Sequence, residues 1–183
     1  MEPIPHSLNA KIAAYKKVLE NTMVFRQAWP ATREMISLEL NNFLDLSGIK
    51  GKVNNNTDIE NLEAVTLDLG RSSSGISRNH VDTDVRNFMI KVNGALIYQQ
   101  LFNGKIMVMV QQPFIEGQVE PKEPQFIEIV TPEELSAAQI SQHLETLLEI
   151  ITNWEDFDDE GPQKKTVFQP IGFQHGLSAQ QNT

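Results

Sequence analysis

The sequence predicts an α+β fold: an N-terminal helical pair, an antiparallel sheet of about five strands with a central three-strand meander, and a long C-terminal helix packed on the sheet. Three observations carry this expectation. Apolar side chains recur at helical spacing over 7–46. Residues 87–112 are strand-like around two Asn-Gly pairs. Residues 131–153 open on a helix-start signature and continue with one apolar stripe.

The first helix is expected over 7–28, with Ser7 as N-cap and Leu8, Ile12, Tyr15 and Leu19 as its stripe. Pro30 disfavours helical geometry at Trp29. A second helix over 32–46 carries Ile36, Leu40, Phe43 and Leu44 and stops at Ser47-Gly48, where glycine takes the left-handed conformation cheaply. The pair forms either a hairpin or one kinked rod. Residues 50–61 read as a polar loop. Over 62–69, Val65, Leu67 and Leu69 alternate with Thr66 and Asp68, which is the pattern of a half-buried strand.

Asn93-Gly94 and Asn103-Gly104 are both suited to two-residue type I′ hairpin turns, because both central residues of such a turn need positive φ. They divide 87–112 into strands over 87–92, 95–102 and 105–112. Two-residue turns pair Val92 with Ala95, Leu101 with Ile106 and Ile97 with Val110. One face then gathers Phe88, Ile90, Val92, Ile97, Leu101, Ile106, Val108 and Val110 as the core, interrupted only by Gln99. The other face carries Tyr98, Phe102, Met107 and Met109, which are too apolar for a freely solvated surface and need cover. The N-terminal helices or another chain can supply it.

Residues 113–125 hold three prolines and read as a loop, and 126–130 as a strand. Thr131-Pro132-Glu133-Glu134 is a capping box with proline at the first helical position. The stripe that follows is Ile140, Leu144, Leu147, Ile151 and Trp154, and His143 is read as a solvated side chain on the polar side. An acidic run over 155–160 ends the domain, taken as 1–160. A flexible tail containing Gln, Gly and Pro follows over 161–183, with one apolar patch over 167–173.

Composition narrows the function classes. The 183 residues are 40 % hydrophobic and 21 % charged, which excludes collagen-like and wholly disordered chains. The absence of cysteine excludes disulfides, thiolate metal sites and a cysteine nucleophile. The net charge of −9 is concentrated in 114–160, where Lys122 stands against thirteen acids. With no basic footprint, nucleic acid and anionic membrane are not expected partners, whereas a protein partner is. No signal-peptide pattern and no long apolar run is evident, so a cytoplasmic protein is expected.

Two sets of residues stand out as candidate sites. The stretch 71–84 is read as a loop in which Arg71 and Arg78 can fork an anion with Ser73 as a hydroxyl donor. Alternatively, a serine, His80 and Asp82 or Asp84 can assemble a hydrolytic set there. Tyr98, Phe102, Met107 and Met109 are the candidate contact surface. The four histidines lie far apart and no metal or cofactor is expected. The leading expectation is a non-enzymatic protein working through protein–protein contact, self-associating or part of a larger assembly. A small anion-binding module or hydrolase using 71–84 is the alternative. An apolar-ligand carrier with a cavity lined by Tyr98 and Met109 is a third reading.

Overall fold

The computed structural model describes residues 5–79, 86–118 and 120–156. The expected tail over 161–183 lies outside the described residues. The architecture is α+β, as the sequence predicts, with one correction at the outset. The N-terminal pair is a single 42-residue helix, α1 (His6–Ser47), with Pro30 inside it. At 1.5 Å per residue it is about 63 Å long. An interior proline costs about 3 kcal/mol, but Trp29, Ile36 and Leu40 around it are buried in the core. Burying three such side chains returns about 1.5–3 kcal/mol each, which outweighs the break. The helix starts after Pro5 with no side-chain cap, so Ser7 is not the N-cap. It ends as expected at Gly48, whose φ is 68° and whose N–H donates to Leu44 O at 3.0 Å.

The predicted polar loop over 50–61 contains a strand, β1 (Lys52–Asn56), which pairs with β2 (Ala64–Asp68). The next segment departs from expectation. Residues 71–79 form not a loop but a nine-residue strand, β3 (Arg71–Asn79), paired with β4 (Arg86–Val92). The next strand, β5 (Ala95–Gln100), pairs with β2 and with β6 (Ile106–Gln111), and not with β4. Asn93-Gly94 is therefore a bend within one long arm, not a hairpin corner. The register shows this directly, since Asp68↔Ala95 on one side of the bend runs on as Arg71↔Val92 on the other. Leu69-Gly70 bends beside it, with Leu69 N–H donating to Gly94 O and Asn93 N–H to Gly70 O. The third arm follows suit, because β6 pairs with β5 while the short β7 (Phe114–Ile115), inside the stretch expected as loop, pairs with β4. A three-arm meander does exist, but its arms cross from a five-stranded sheet, ordered β1-β2-β5-β6-β8, into a three-stranded one, ordered β3-β4-β7. The edge strand β8 (Gln125–Val130) is close to its expected position.

The corner at Asn103-Gly104 is real, but one residue longer than expected. Among the non-glycine described residues only Asn61 has positive φ, so neither Asn93 nor Asn103 adopts the type I′ geometry. Leu101 N–H donates to Lys105 O, and Gly104, at φ 78°, donates to Leu101 O. The loop is thus the three residues 102–104, and β5 slides by one position. Tyr98 pairs with Val108 and Leu96 with Val110, in place of Gln99 and Ile97. A one-residue slip exchanges the faces of a strand. Val108, Val110 and Ile106 are buried as expected, but opposite Leu96, Tyr98 and Gln100, while Ile97 and Gln99 face away. Phe88 and Ile90, assigned to the core by the two-residue register, are exposed on β4.

The second helix, α2 (Ala137–Glu155), starts later than the Thr131 signature implies. Ser136 is its N-cap, in a reciprocal capping box with Gln139. Half of the Thr131-to-Glu134 box also forms, closing an isolated turn in which Thr131 N–H and Oγ1 both donate to Glu134 Oε2 at 2.9 Å, while Glu134 N–H donates to the Thr131 carbonyl. Helix α2 packs on the same face of the five-stranded sheet as the C-terminal half of α1. Trp29, Ile36 and Leu40 meet Val65, Leu67, Leu96, Tyr98, Val108, Ile140, Leu144 and Leu147 in one core.

Candidate functional site

Of the residues singled out in 71–84, the two described arginines do not converge. Arg71 and Arg78 pair with Val92 and Asn87, five residues apart on β4, so they lie about 17 Å apart along the ribbon. Arg71 Nη2 is 3.3 Å from Glu116 Oε1. Ser72 donates to Asn93 Oδ1 and Ser74 to Met89 O, while Ser73 Oγ accepts from the N–H of Gly75 at 3.3 Å. These hydroxyls shape the bulge between Ser73 and Ser77. His80, Asp82 and Asp84 lie outside the described residues.

The four candidate contact residues separate into three environments. Tyr98 is in the core at 0 % exposure. Phe102, in the three-residue loop, is 73 % exposed. Met107 and Met109 are half-buried on the sheet face opposite Tyr98, so no cavity is lined by both Tyr98 and Met109. Both helices belong to the Tyr98 side. Across the strands, Met107 lies opposite Ile129 and Met109 opposite Phe126 and Ile97. Phe126 and Ile129 are exposed, which makes this an apolar strip on the helix-free face.

A buried polar relay joins Tyr98 to the rim of the core. His143 Nε2 is 2.7 Å from Glu128 Oε1, and Nδ1 is 3.1 Å from the Tyr98 hydroxyl. A carboxylate only accepts, so Nε2–H donates to Glu128, and in that tautomer Nδ1 accepts the Tyr98 O–H. The two rings are 5.7 Å apart and tilted by 57°. Burial, reinforced by the nearby Glu128 carboxylate, pushes the Tyr98 phenol well above its ordinary range. His143, expected as a solvated residue, is 4 % exposed. Its burial was readable, since 140, 143, 144 and 147 follow the i, i+3, i+4, i+7 pattern of a packed face. The relay has the residue types of a proton path, but Tyr98 is shut off from solvent, so its hydroxyl meets no substrate. Gln100, also on the covered face, leaves its Oε1 without a hydrogen-bond partner. Among the described residues, no three metal-ligating side chains converge on a site that could hold a metal ion, and no helix is long and apolar enough to cross a membrane.

The larger exposed features are two projections at opposite ends of the body. Helix α1 leaves the sheet beside the 102–104 loop, where Arg26 Nε donates to Phe102 O at 3.1 Å. A Cβ on Gly104 would lie 2.7 Å from that of Phe25. N-terminal to this point, Leu8, Tyr15, Val18, Leu19, Met23 and Val24 are all exposed. At the other end the β3–β4 ribbon extends past the Gly70/Gly94 bend, with Ile76, Phe88 and Ile90 exposed. Its base is tied to α2 by an ion pair between Lys91 and Glu155, and Lys91 Nζ also lies 5.8 Å from the Trp154 ring. The apolar stripe of α1 was readable in the sequence; that its first half leaves the sheet was not. No family model, curated protein or solved structure matches the chain.

Proposed function

We propose that this chain works by contact with other protein chains, as a self-associating component of an assembly, and not as an enzyme. The observation that carries this reading is the pair of projections. The first nineteen residues of α1 and the β3–β4 ribbon leave the body with their apolar side chains in water. A helix draws most of its stability from packing an amphipathic face, and beyond the short β7, which pairs only with Lys91 and Val92, the ribbon is two-stranded and alone would be marginal. Elements of both kinds persist when another surface covers them. The helix-free sheet face, with Met107, Met109, Phe126 and Ile129, adds further apolar area of the sort that contact surfaces use. Against catalysis stands the burial of Tyr98 and His143, the inner members of the relay, away from any substrate.

Sedimentation equilibrium of the full chain tests the proposal. The expected result is an average mass that rises above the monomer with concentration. A monomer at every accessible concentration would sink it.

A further inference from the structure

Resting on that reading of self-association, we infer that the projecting part of α1 pairs antiparallel with the same segment of a second copy, Leu8 packing on Leu19 of the other chain and Ile12 on Tyr15. Leu8, Ile12, Tyr15 and Leu19 follow a 4-3-4 spacing, the seam of a two-helix coiled coil. The same spacing runs on through Thr22, Arg26, Trp29, Arg33, Ile36, Leu40 and Phe43. In that continuation Trp29 and Ile36 are buried and Phe43 packs against the core. The chain's own body therefore occupies one half of the seam. The other half is open, with Tyr15 63 % exposed.

Charge decides which occupant fits and in which direction. In a parallel pair Lys11 of one helix would flank Lys16 of the other, on both sides of the seam, and Arg26 would face Arg26 inside it. Reversing one helix removes these conflicts. With Leu8 opposite Leu19, the flanking neighbours of Lys11 and Lys16 are Val18 and Asn9. The lysine stem then covers the valine while the ammonium stays in water. All four layers of the reversed pair are apolar: Leu8 on Leu19, Ile12 on Tyr15, and their two symmetry mates. The contact is self-complementary about a two-fold axis between residues 13 and 14, so it closes at a dimer. Because α1 is already anchored through Trp29, Ile36 and Leu40, the nucleation cost of a free helix does not arise.

The absence of cysteine makes a direct test possible. Full-length Leu8→Cys and Leu19→Cys chains are mixed and oxidised under native conditions. The antiparallel pair yields the mixed disulfide, whereas Leu8→Cys alone stays unlinked, because eleven residues of helix, about 16 Å, would separate the two thiols. A disulfide in Leu8→Cys alone, or none in the mixture, overturns the inference. In parallel, Ile12→Lys should weaken self-association by about a hundredfold with an unchanged helical circular-dichroism signal. If the native chain associates and Ile12→Lys associates equally well, the arm is not the contact, and self-association runs through another face. If the native chain never associates, both this inference and the reading beneath it fall.

Discussion

Tyr98 shows how one side chain ties the interior to pH. Desolvation first, and Glu128 second, hold its phenol protonated in the folded chain. The unfolded chain ionises that phenol in the ordinary tyrosine range and the folded chain does not. Its contribution is therefore intact below that range and declines as pH rises through and beyond it. We expect alkaline melting curves of the protein to fall off above the ordinary tyrosine range, and those of Tyr98→Phe to be flatter there. At neutral pH Tyr98→Phe should already cost about 1–3 kcal/mol, because His143 Nδ1 loses its donor. With Tyr15→Phe removing the other tyrosine, phenolate absorbance should appear only together with unfolding. Absorbance rising before the unfolding transition would show the hydroxyl open to base. At this scale the sequence was partly legible. Val65 and Leu67 were recognised as core from alternation, and Ile106, Val108 and Val110 from the face assigned to the meander. The relay was not, because the two-residue register put Tyr98 on the uncovered face; only the longer loop at 102–104 sets it opposite Val108, which pairs with Glu128 on its other side.

At the scale of elements, type and position were mostly readable, while register and continuity were not. The strand at 64–68, the edge strand at 125–130 and the C-terminal helix follow from periodicity and capping. The proline in α1 misled because local propensity is weak beside the burial of Trp29, Ile36 and Leu40. The Asn-Gly pairs misled in a related way: the dipeptide permits a two-residue corner, but Asn103 takes negative φ and shares a longer loop. Gly104 is the most constrained point of that loop, being left-handed and set against the α1 backbone, with Arg26 N 2.9 Å from the position of an added Cβ. Gly48 is also left-handed but has open space around it. Gly48→Ala should then cost about 1–2 kcal/mol, the left-handed penalty alone. Gly104→Ala adds a steric conflict of about 1–3 kcal/mol and should lower the denaturation midpoint clearly further. Equal effects at the two glycines would mean that α1 does not press on the loop.

On the scale of the whole molecule, stability is distributed unevenly along hydrogen-bonded chain. The strands β5 and β6 lie in the middle of the five-stranded sheet under two helices, while β3 and β4, which continue β2 and β5 past the bend, are exposed along most of their length. Amides of β3 and β4 should exchange at least ~100-fold faster than those of β5 and β6, in spite of equivalent backbone pairing, because local opening there exposes little apolar surface. Hydrogen exchange read by mass spectrometry checks this. In the same experiment, peptides covering 6–24 should gain protection as protein concentration rises, which ties the arm to association. Uniform protection across the ribbon and the sheet would contradict the picture of a body with two extensions. None of this was legible beforehand: 71–79 is rich in serine and carries a glycine, a loop-like composition, and is a strand only because the opposite arm offers it a ladder.

The three-residue loop at 102–104 carries one more consequence. Exposed loop tips are the places where chains ordinarily gain and lose residues without harm. Here the tip is not free to change. Removing Phe102 would leave Asn103-Gly104 as a two-residue corner between the same closing pair, Leu101 and Lys105, so Leu96 and Tyr98 would stay inward. Asn103, however, would have to take the positive φ it now avoids, and Arg26 would lose the carbonyl it reaches; a phenylalanine whose ring faces solvent thus works through its backbone, as a rivet between helix and sheet.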